Sequence, residues 1–265
     1  MDLAIDDNAA LVTASSSGLG KASARALAAE GANVVMNGRD EDRLAAAVDD
    51  VRAHAAESAT VIGHAADLTD ADAIESLVSR TVEEFGALDH LVTSAGGPPA
   101  KPFLETTDEE WYDAFDLLVM SVVRTARAAA PHLRDSDHGT IVTIASVSVK
   151  EAVDDLVLSN AVRAGVVGLE KTLSKELAPD VRANAVLPGT HETPRVETLV
   201  EEGVRTGKYD SYEAGITEWA GDIPVGRIGD PMELGRTVAF LSSPLSAYLS
   251  GVAVPIDGGE SASNL

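Results

Sequence analysis

Seven short apolar runs alternate with longer amphipathic segments along the 265 residues of the chain, and this alternation most restricts what it can fold into. The runs are Ala9–Ala14, Asn33–Asn37, Thr60–Ala65, His90–Thr93, Thr140–Ala145, Arg182–Leu187 and Val252–Ile256. Between them, apolar residues at helical spacing occupy Lys21–Glu30, Asp40–Ala56, Ala71–Phe85, Asp108–Leu133, Leu156–Leu177 and Met232–Leu241. A short strand that is apolar on both faces needs cover above and below, and helical crossovers supply it. The pattern predicts an α/β fold, a doubly wound parallel sheet flanked by helices. No repeat or linker divides the chain, so residues 1–265 are expected to form a single domain. The stretch 191–222 breaks the rhythm. It is polar, contains Gly203, Gly207, Gly215 and Gly221, and reads as a substrate lid.

Asp and Glu number 43 against 20 Lys and Arg, a formal net charge of −23. A phosphate backbone would be repelled by such a surface, which excludes nucleic acid as a partner. Lysine is scarce, six against fourteen arginines. This composition resembles that of a salt-adapted protein, whose carboxylates stay hydrated while concentrated salt screens their repulsion. An ordinary acidic surface is the alternative. No apolar stretch reaches the roughly 20 residues of a membrane span, and the first residues lack the basic, apolar and small-residue succession of a secretory signal. Cysteine is absent, which excludes disulfides and thiolate metal sites. A cytoplasmic protein without membrane contact or bound metal is expected.

The strongest local signal is Thr13-Ala14-Ser15-Ser16-Ser17-Gly18-Leu19-Gly20, which ends the first apolar run and opens the first helix. Glycine lets the backbone approach a pyrophosphate, and the free N–H groups and dipole of a helix N-terminus attract it. Many Gly/Ser turns merely connect elements; the position between strand and helix makes this one a dinucleotide signal. The second apolar run leads into Gly38-Arg39. An acidic residue there would bond a free ribose 2′-hydroxyl and repel a 2′-phosphate, whereas a guanidinium forks onto phosphate. Arg39 thus predicts NADP(H) in preference to NAD(H), unless it only solvates the helix start.

These features, continued through the chain, resemble the short-chain dehydrogenase/reductase family in its 3-oxoacyl-carrier-protein reductase-like branch. The first loop is similar to that family's Thr-Gly-x-x-x-Gly-x-Gly motif, with Ala14 in place of the first Gly. Asp67-Leu68, Thr93-Ser94-Ala95-Gly96, Asn184, Pro188-Gly189, Thr193, Ile223-Pro224-Val225-Gly226-Arg227 and Asp257-Gly258-Gly259 follow in the family's order. The resemblance implies a Rossmann sheet, a small carbonyl or alcohol substrate, and assembly into a homotetramer or homodimer, for which the apolar face of Val166–Leu177 is suited. It also implies a set of cofactor-binding residues. Thr13, Ser15, Ser16, Ser17, Gly18, Leu19 and Gly20 would surround the pyrophosphate, and Arg39 the 2′-phosphate. Asp67 and Leu68 would hold the adenine; Ser94, Ala95, Gly96, Arg163, Pro188, Gly189 and Thr193 complete the set.

The same resemblance exposes a contradiction at the catalytic positions. Ser146 stands where the family's Ser bonds the substrate oxygen. Thirteen residues on, where the family has its proton-donating Tyr, stands Ser159; the Lys position holds Arg163, and the helix Asn maps to Leu118. No Tyr in the chain is followed four residues later by Lys. A tyrosine hydroxyl of pKa about 10 can be drawn towards neutrality by a neighbouring cation, whereas a serine hydroxyl is far less acidic and arginine does not shuttle protons. Arg163 keeps charge for ribose or an oxyanion. The proton donor is left to Lys150, His191 or a held water. Two functions therefore stand: an NADP(H)-dependent oxidoreductase interconverting a small ketone and a secondary alcohol, or a non-catalytic dinucleotide-binding sensor or assembly protein.

Salt should act on this chain with a definite sign. Self-repulsion among 43 carboxylates opposes the compact state at low ionic strength, and the Debye length shrinks to about 3 Å at 1 M salt. The melting temperature is expected to rise steeply from dilute buffer to molar KCl in a thermal denaturation series. A flat or falling curve would assign the charge to an ordinary acidic surface.

Overall fold

The computed structural model describes residues 2–263. Each apolar run becomes a strand: β1 (Ala9–Val12), β2 (Asn33–Gly38), β3 (Val61–Ala65), β4 (His90–Thr93), β5 (Thr140–Ile144), β6 (Arg182–Pro188) and β7 (Ala253–Ile256). They form one seven-stranded sheet in the order β3-β2-β1-β4-β5-β6-β7, and every neighbouring pair is parallel. β1 lies between β2 and β4, with Ala10 opposite both Val34 and His90. The order reverses there, so the chain leaves β1 and β4 towards opposite faces and opens a crevice above their C-terminal ends.

The α-helices are α1 (Gly18–Ala29), α2 (Glu41–Arg52), α3 (Ala71–Phe85), α4 (Asp108–Phe115), α5 (Ser121–Asp135), α6 (Val157–Glu176), α7 (Pro194–Arg205), α8 (Tyr212–Ala220) and α9 (Pro231–Ser242). Side chains alternate across each strand. Val12, Val34, Met36, Val92 and Val142 pack with residues of α1, α2 and α9 on one face; Leu11, Val35, Leu91 and Ile141 pack with α3 and α5 on the other. Asp40, Asp70, Thr107 and Asp230 cap α2, α3, α4 and α9 by accepting backbone N–H bonds. No helix among the described residues is long and apolar enough to cross a membrane.

Two segments differ from the sequence pattern. The helical run read as continuous from Asp108 to Leu133 is interrupted by a π-helical turn, Asp116–Met120, between α4 and α5. The wider turn keeps Leu118 buried against Leu158, Val162 and Val166 of α6 and turns Leu117 towards the crevice. The polar segment 191–222 contains α7 and α8 with an apolar cluster of their own, in which Val196, Val200 and Tyr209 are buried. A Cβ on Gly203 or Gly215 would fall 2.4 or 2.8 Å from the Tyr209 ring, so these glycines make room for an aromatic wedge that Trp219 Nε1 fixes by donating to the Tyr209 hydroxyl at 3.0 Å. Within Val166–Leu177, Val166 and Leu177 are buried, Val167, Leu169 and Leu173 are half-buried, and Lys171, Thr172 and Lys175 are exposed.

One core residue carries a proton-dependent cost. Glu170 of α6 is buried; it accepts a hydrogen bond from Thr143, which is linked in turn to Thr93 at 2.6 Å. Its second carboxyl oxygen has no hydrogen-bond partner among the described residues. Burial raises the Glu170 carboxyl to about 8, against the smaller lowering effect of Thr143. The folded state therefore binds a proton that the unfolded chain releases near the ordinary glutamate range, so stability is fully present below that range and is lost as pH rises to about 8. Glu170→Gln is expected to gain about 3 kcal/mol over the parent at pH 8 and little at pH 5. Urea denaturation at both values checks this; parallel curves for the two proteins would refute the assignment.

Candidate active site

A cleft of about 720 Å³ occupies the crevice between the β1 and β4 ends. Its floor is built by the loop joining β1 to α1. Gly18 adopts φ +54, a left-handed conformation that glycine enters without strain. Ser17 precedes α1 in extended conformation, with no side-chain capping bond and no acidic residue in the helix's first turn, which leaves this N-terminus open to an anion. Ser16, Ser17, Gly18, Leu19 and Gly20 all line the cleft.

Thr13 and Ser15 stand outside the lining. Thr13 Oγ1 donates to Ser94 O and accepts from Ser94 N, both at 2.8 Å. Ser15 is wholly buried; its Oγ donates to Val12 O at 2.8 Å and accepts from Asn37 N at 2.9 Å. Asn37 in turn accepts from Ala14 N at 3.1 Å and donates to Ala66 O at 3.1 Å, joining the loop to β2 and the end of β3. Both Thr13 and Ser15 shape the loop from behind, leaving its floor to their neighbours.

Arg39, Asp67 and Leu68 line the outer end. Arg39 is exposed and stands 3.8 Å from the Asp67 carboxylate. The Thr69 backbone N–H, followed by its hydroxyl and the Arg39 charge, holds Asp67 below the usual carboxylate range in spite of partial burial. Asp40 and Arg43, which the sequence pattern did not single out, share this rim.

The inner end is formed by Ser94, Ala95, Gly96, Arg163 and Thr193, together with Leu117, Ile144 and Arg195. Arg163 is half-buried. Its Nε donates to Ser159 Oγ at 3.1 Å and its Nη1 to Ala145 O at 3.3 Å. Burial, and secondarily the charge of Arg195, pushes the Arg163 guanidinium down to about 10, which leaves it cationic at neutral pH. Ser159, buried, and Ser146, half-buried, both lie outside the lining, and Ser146 Oγ accepts from Ser148 N at 3.1 Å. Leu118, which the resemblance aligned with the family's helix Asn, is buried in the α4–α5–α6 cluster.

Lys150 is half-buried at the end of the Ser146 loop, and its side chain has no hydrogen-bond or ion-pair partner among the described residues. His191 is buried, with Nδ1 3.1 Å from Gly189 O and its ring against Gly229. It lies outside the cleft wall. Pro188 and Gly189 also lie outside it: a Cβ on Gly189 would fall 2.4 Å from Glu260 Oε2, whose carboxylate accepts from Thr190 N and Oγ1 at 2.8 and 2.9 Å. Arg195 is the main site residue that the sequence pattern missed. The only signal was a cation two places after Thr193, where a helix begins.

The family model described as enoyl-(acyl carrier protein) reductase matches residues 13–261. The chain is 33% identical to the 3-oxoacyl-acyl-carrier-protein reductase FabG of Escherichia coli, over 94% of this chain and 96% of that one. L-sorbose reductase from Gluconobacter frateurii, solved with NADPH and L-sorbose, superposes with a TM-score of 0.94 at 30% identity, covering 99% of this chain and all of that one. A short-chain oxidoreductase of Pseudomonas aeruginosa PAO1 described as containing an atypical catalytic center gives 0.89 at 32%, covering 98% and 99%. The chain belongs to the short-chain dehydrogenase/reductase family. It is one of that family's oxidoreductases.

Ala14 carries the cost of departing from the family's loop. It sits at φ +44, a left-handed conformation that strains any residue with a Cβ by roughly 1–2 kcal/mol. Ala14→Gly relieves that strain and increases the disorder of the unfolded chain, for a net stabilisation of about 1 kcal/mol. Equilibrium denaturation checks this, and a loss of stability would contradict the strained geometry.

Proposed function

We propose that the protein is an NADP(H)-dependent reductase that interconverts a small ketone and a secondary alcohol, in the manner of 3-oxoacyl reductases but with a non-standard proton donor. The observation that carries this reading is Arg163, a cation held by Ser159 and Ala145 O into the inner end of a dinucleotide-shaped cleft. What supports the cofactor is an uncapped start of α1 on the cleft that would take the pyrophosphate, the Arg39 guanidinium at the outer end that would take a 2′-phosphate, and open space above Gly96. NADPH, when bound, supplies the hydride. Ser146 bonds the substrate oxygen, Arg163 binds ribose and stabilises developing negative charge, and Ser159 holds Arg163 in place. His191 is committed to Gly189 and Gly229, which leaves the proton to Lys150 or a held water.

In this reading residues 191–222 form a helical lid on a single-domain, cytoplasmic, salt-adapted enzyme that assembles as a homotetramer or homodimer. The exposed Phe103, Leu104, Tyr112 and Tyr248 offer apolar surface for assembly. The second reading, a non-catalytic dinucleotide binder, draws support from Leu118, which is core packing where the family holds a polar group.

An NADPH oxidation screen in molar KCl against ketoesters, sugar ketones and quinones separates the two. Turnover is expected, and Ser146→Ala should slow it about 10²-fold. NADPH should bind more tightly than NADH, by about ten- to a hundredfold, and Arg39→Ala should remove most of the difference. Tight NADPH binding without turnover of any ketone would select the binder, and equal affinities for the two nucleotides would end the assignment of Arg39.

A further inference from the structure

Two guanidinium groups meet at the inner end of the cleft, and only one of them is accounted for. Arg163 is occupied by neutral partners: Ser159 Oγ, Ala145 O and, at 3.5 Å, Gly96 O. Arg195, on the first turn of α7, reaches across to the loop after β4: a Cβ on Gly97 would fall 2.0 Å from its Nη1. It has no hydrogen-bond or ion-pair partner among the described residues. Its charge is felt at Arg163 as repulsion. The chain carries 43 carboxylates, yet the cleft wall has four arginines and only Asp40 and Asp67, both at the outer rim beside Arg39 and Arg43. Asp40 is engaged there as the cap of α2.

We propose that the substrate is a small oxo acid or hydroxy acid whose carboxylate is held by Arg195, with Arg163 facing the carbonyl end. This rests on the reductase reading and names its substrate class. Like charges held together in a partly buried place oppose each other until an anion joins them. The cofactor's phosphates have positions elsewhere, at the start of α1 and at Arg39. A planar guanidinium with all its donors free matches a carboxylate in two parallel bonds. An uncharged ketone would leave Arg195 unmatched. In a molecule of this net charge, a cationic pocket at the inner end would also select the anion from solution, because the surrounding surface repels it.

The test uses the full-length protein loaded with NADPH and titrated calorimetrically with malonate, and separately with malonamide, as unreactive probes. Malonate is expected to bind at least tenfold more tightly than malonamide. Arg195→Ala, a change at an exposed side chain, should abolish that preference while NADPH affinity stays within twofold. Equal binding of the two probes, or malonate binding unchanged in Arg195→Ala, would overturn the proposal. So would a fall in NADPH affinity matching the fall for malonate, since Arg195 would then serve the cofactor. Turnover of 2-oxo and 3-oxo acids against their methyl esters keeps the two readings apart. Malonate selectivity with no turnover of any ketone ends the reductase and leaves the anion site standing. Equal turnover of acids and esters, unchanged in Arg195→Ala, ends the anion site and leaves the reductase.

Discussion

The clasp between Thr13 and Ser94 sets the geometry on which the cleft depends. Two hydrogen bonds of 2.8 Å run in opposite directions between one hydroxyl and the backbone N–H and C=O of one residue, tying the end of β1 to the end of β4. These strands are neighbours in the sheet but belong to opposite windings, so their loops diverge immediately above the clasp. Ser15 and Asn37 perform the same service on the other side, fixing the loop to β2 and β3 through buried groups that each find partners. A crevice between diverging loops would be soft if only exposed residues held it. Here its base is pinned by buried polar bonds, which lose their full value if any partner is displaced.

Charge is distributed against the trend of the whole molecule. Most of the ion pairs among the described residues lie on exposed surface, where such pairs contribute little. The cleft gathers arginines instead. Arg39 and Arg43 have carboxylates beside them, while Arg163 and Arg195 have none. This arrangement costs free energy in the isolated protein and repays it only when anions are present. It supports the view that the inner end was shaped around a ligand, since packing alone would have favoured neutral side chains there.

The sheet was legible in the sequence because each strand is a short apolar run buried on both faces, and each crossover announces itself by helical spacing. The cofactor loop was legible for a similar reason: Gly18 and the serines before it have few other uses between a strand and a helix. What escaped was tertiary. Nothing local marks Thr13 and Ser15 as supports when Ser16 and Ser17 line the cleft, because the difference is the direction of one side chain. The π turn at Asp116–Met120 preserves the apolar pattern around it and leaves no periodicity to detect. His191 looked available beside a glycine turn, yet Gly229, nearly forty residues on, supplies the surface that buries it. Arg195 was invisible because its role depends on a loop about a hundred residues earlier.

Ser159, Arg163 and Leu118, which the resemblance aligns with the family's Tyr, Lys and Asn, belong to one packed wall. A tyrosine hydroxyl stands a full ring beyond its Cβ, whereas the Ser159 hydroxyl is one bond from it and is buried. Serine at that position cannot reach the cleft, and the proton-donating function cannot be transferred to it by proximity. Arginine in place of lysine extends further and forks, which lets one side chain reach Ser159, Ala145 O and Gly96 O together. Leu118 seals the same wall from the α4–α5 side with apolar contact to α6. The three side chains fit together: the short Ser159 hydroxyl seats the Arg163 guanidinium, and Leu118 packs into the neighbouring apolar cluster. The inner wall therefore presents a guanidinium to the cleft, while the Ser159 hydroxyl that seats it stays buried behind.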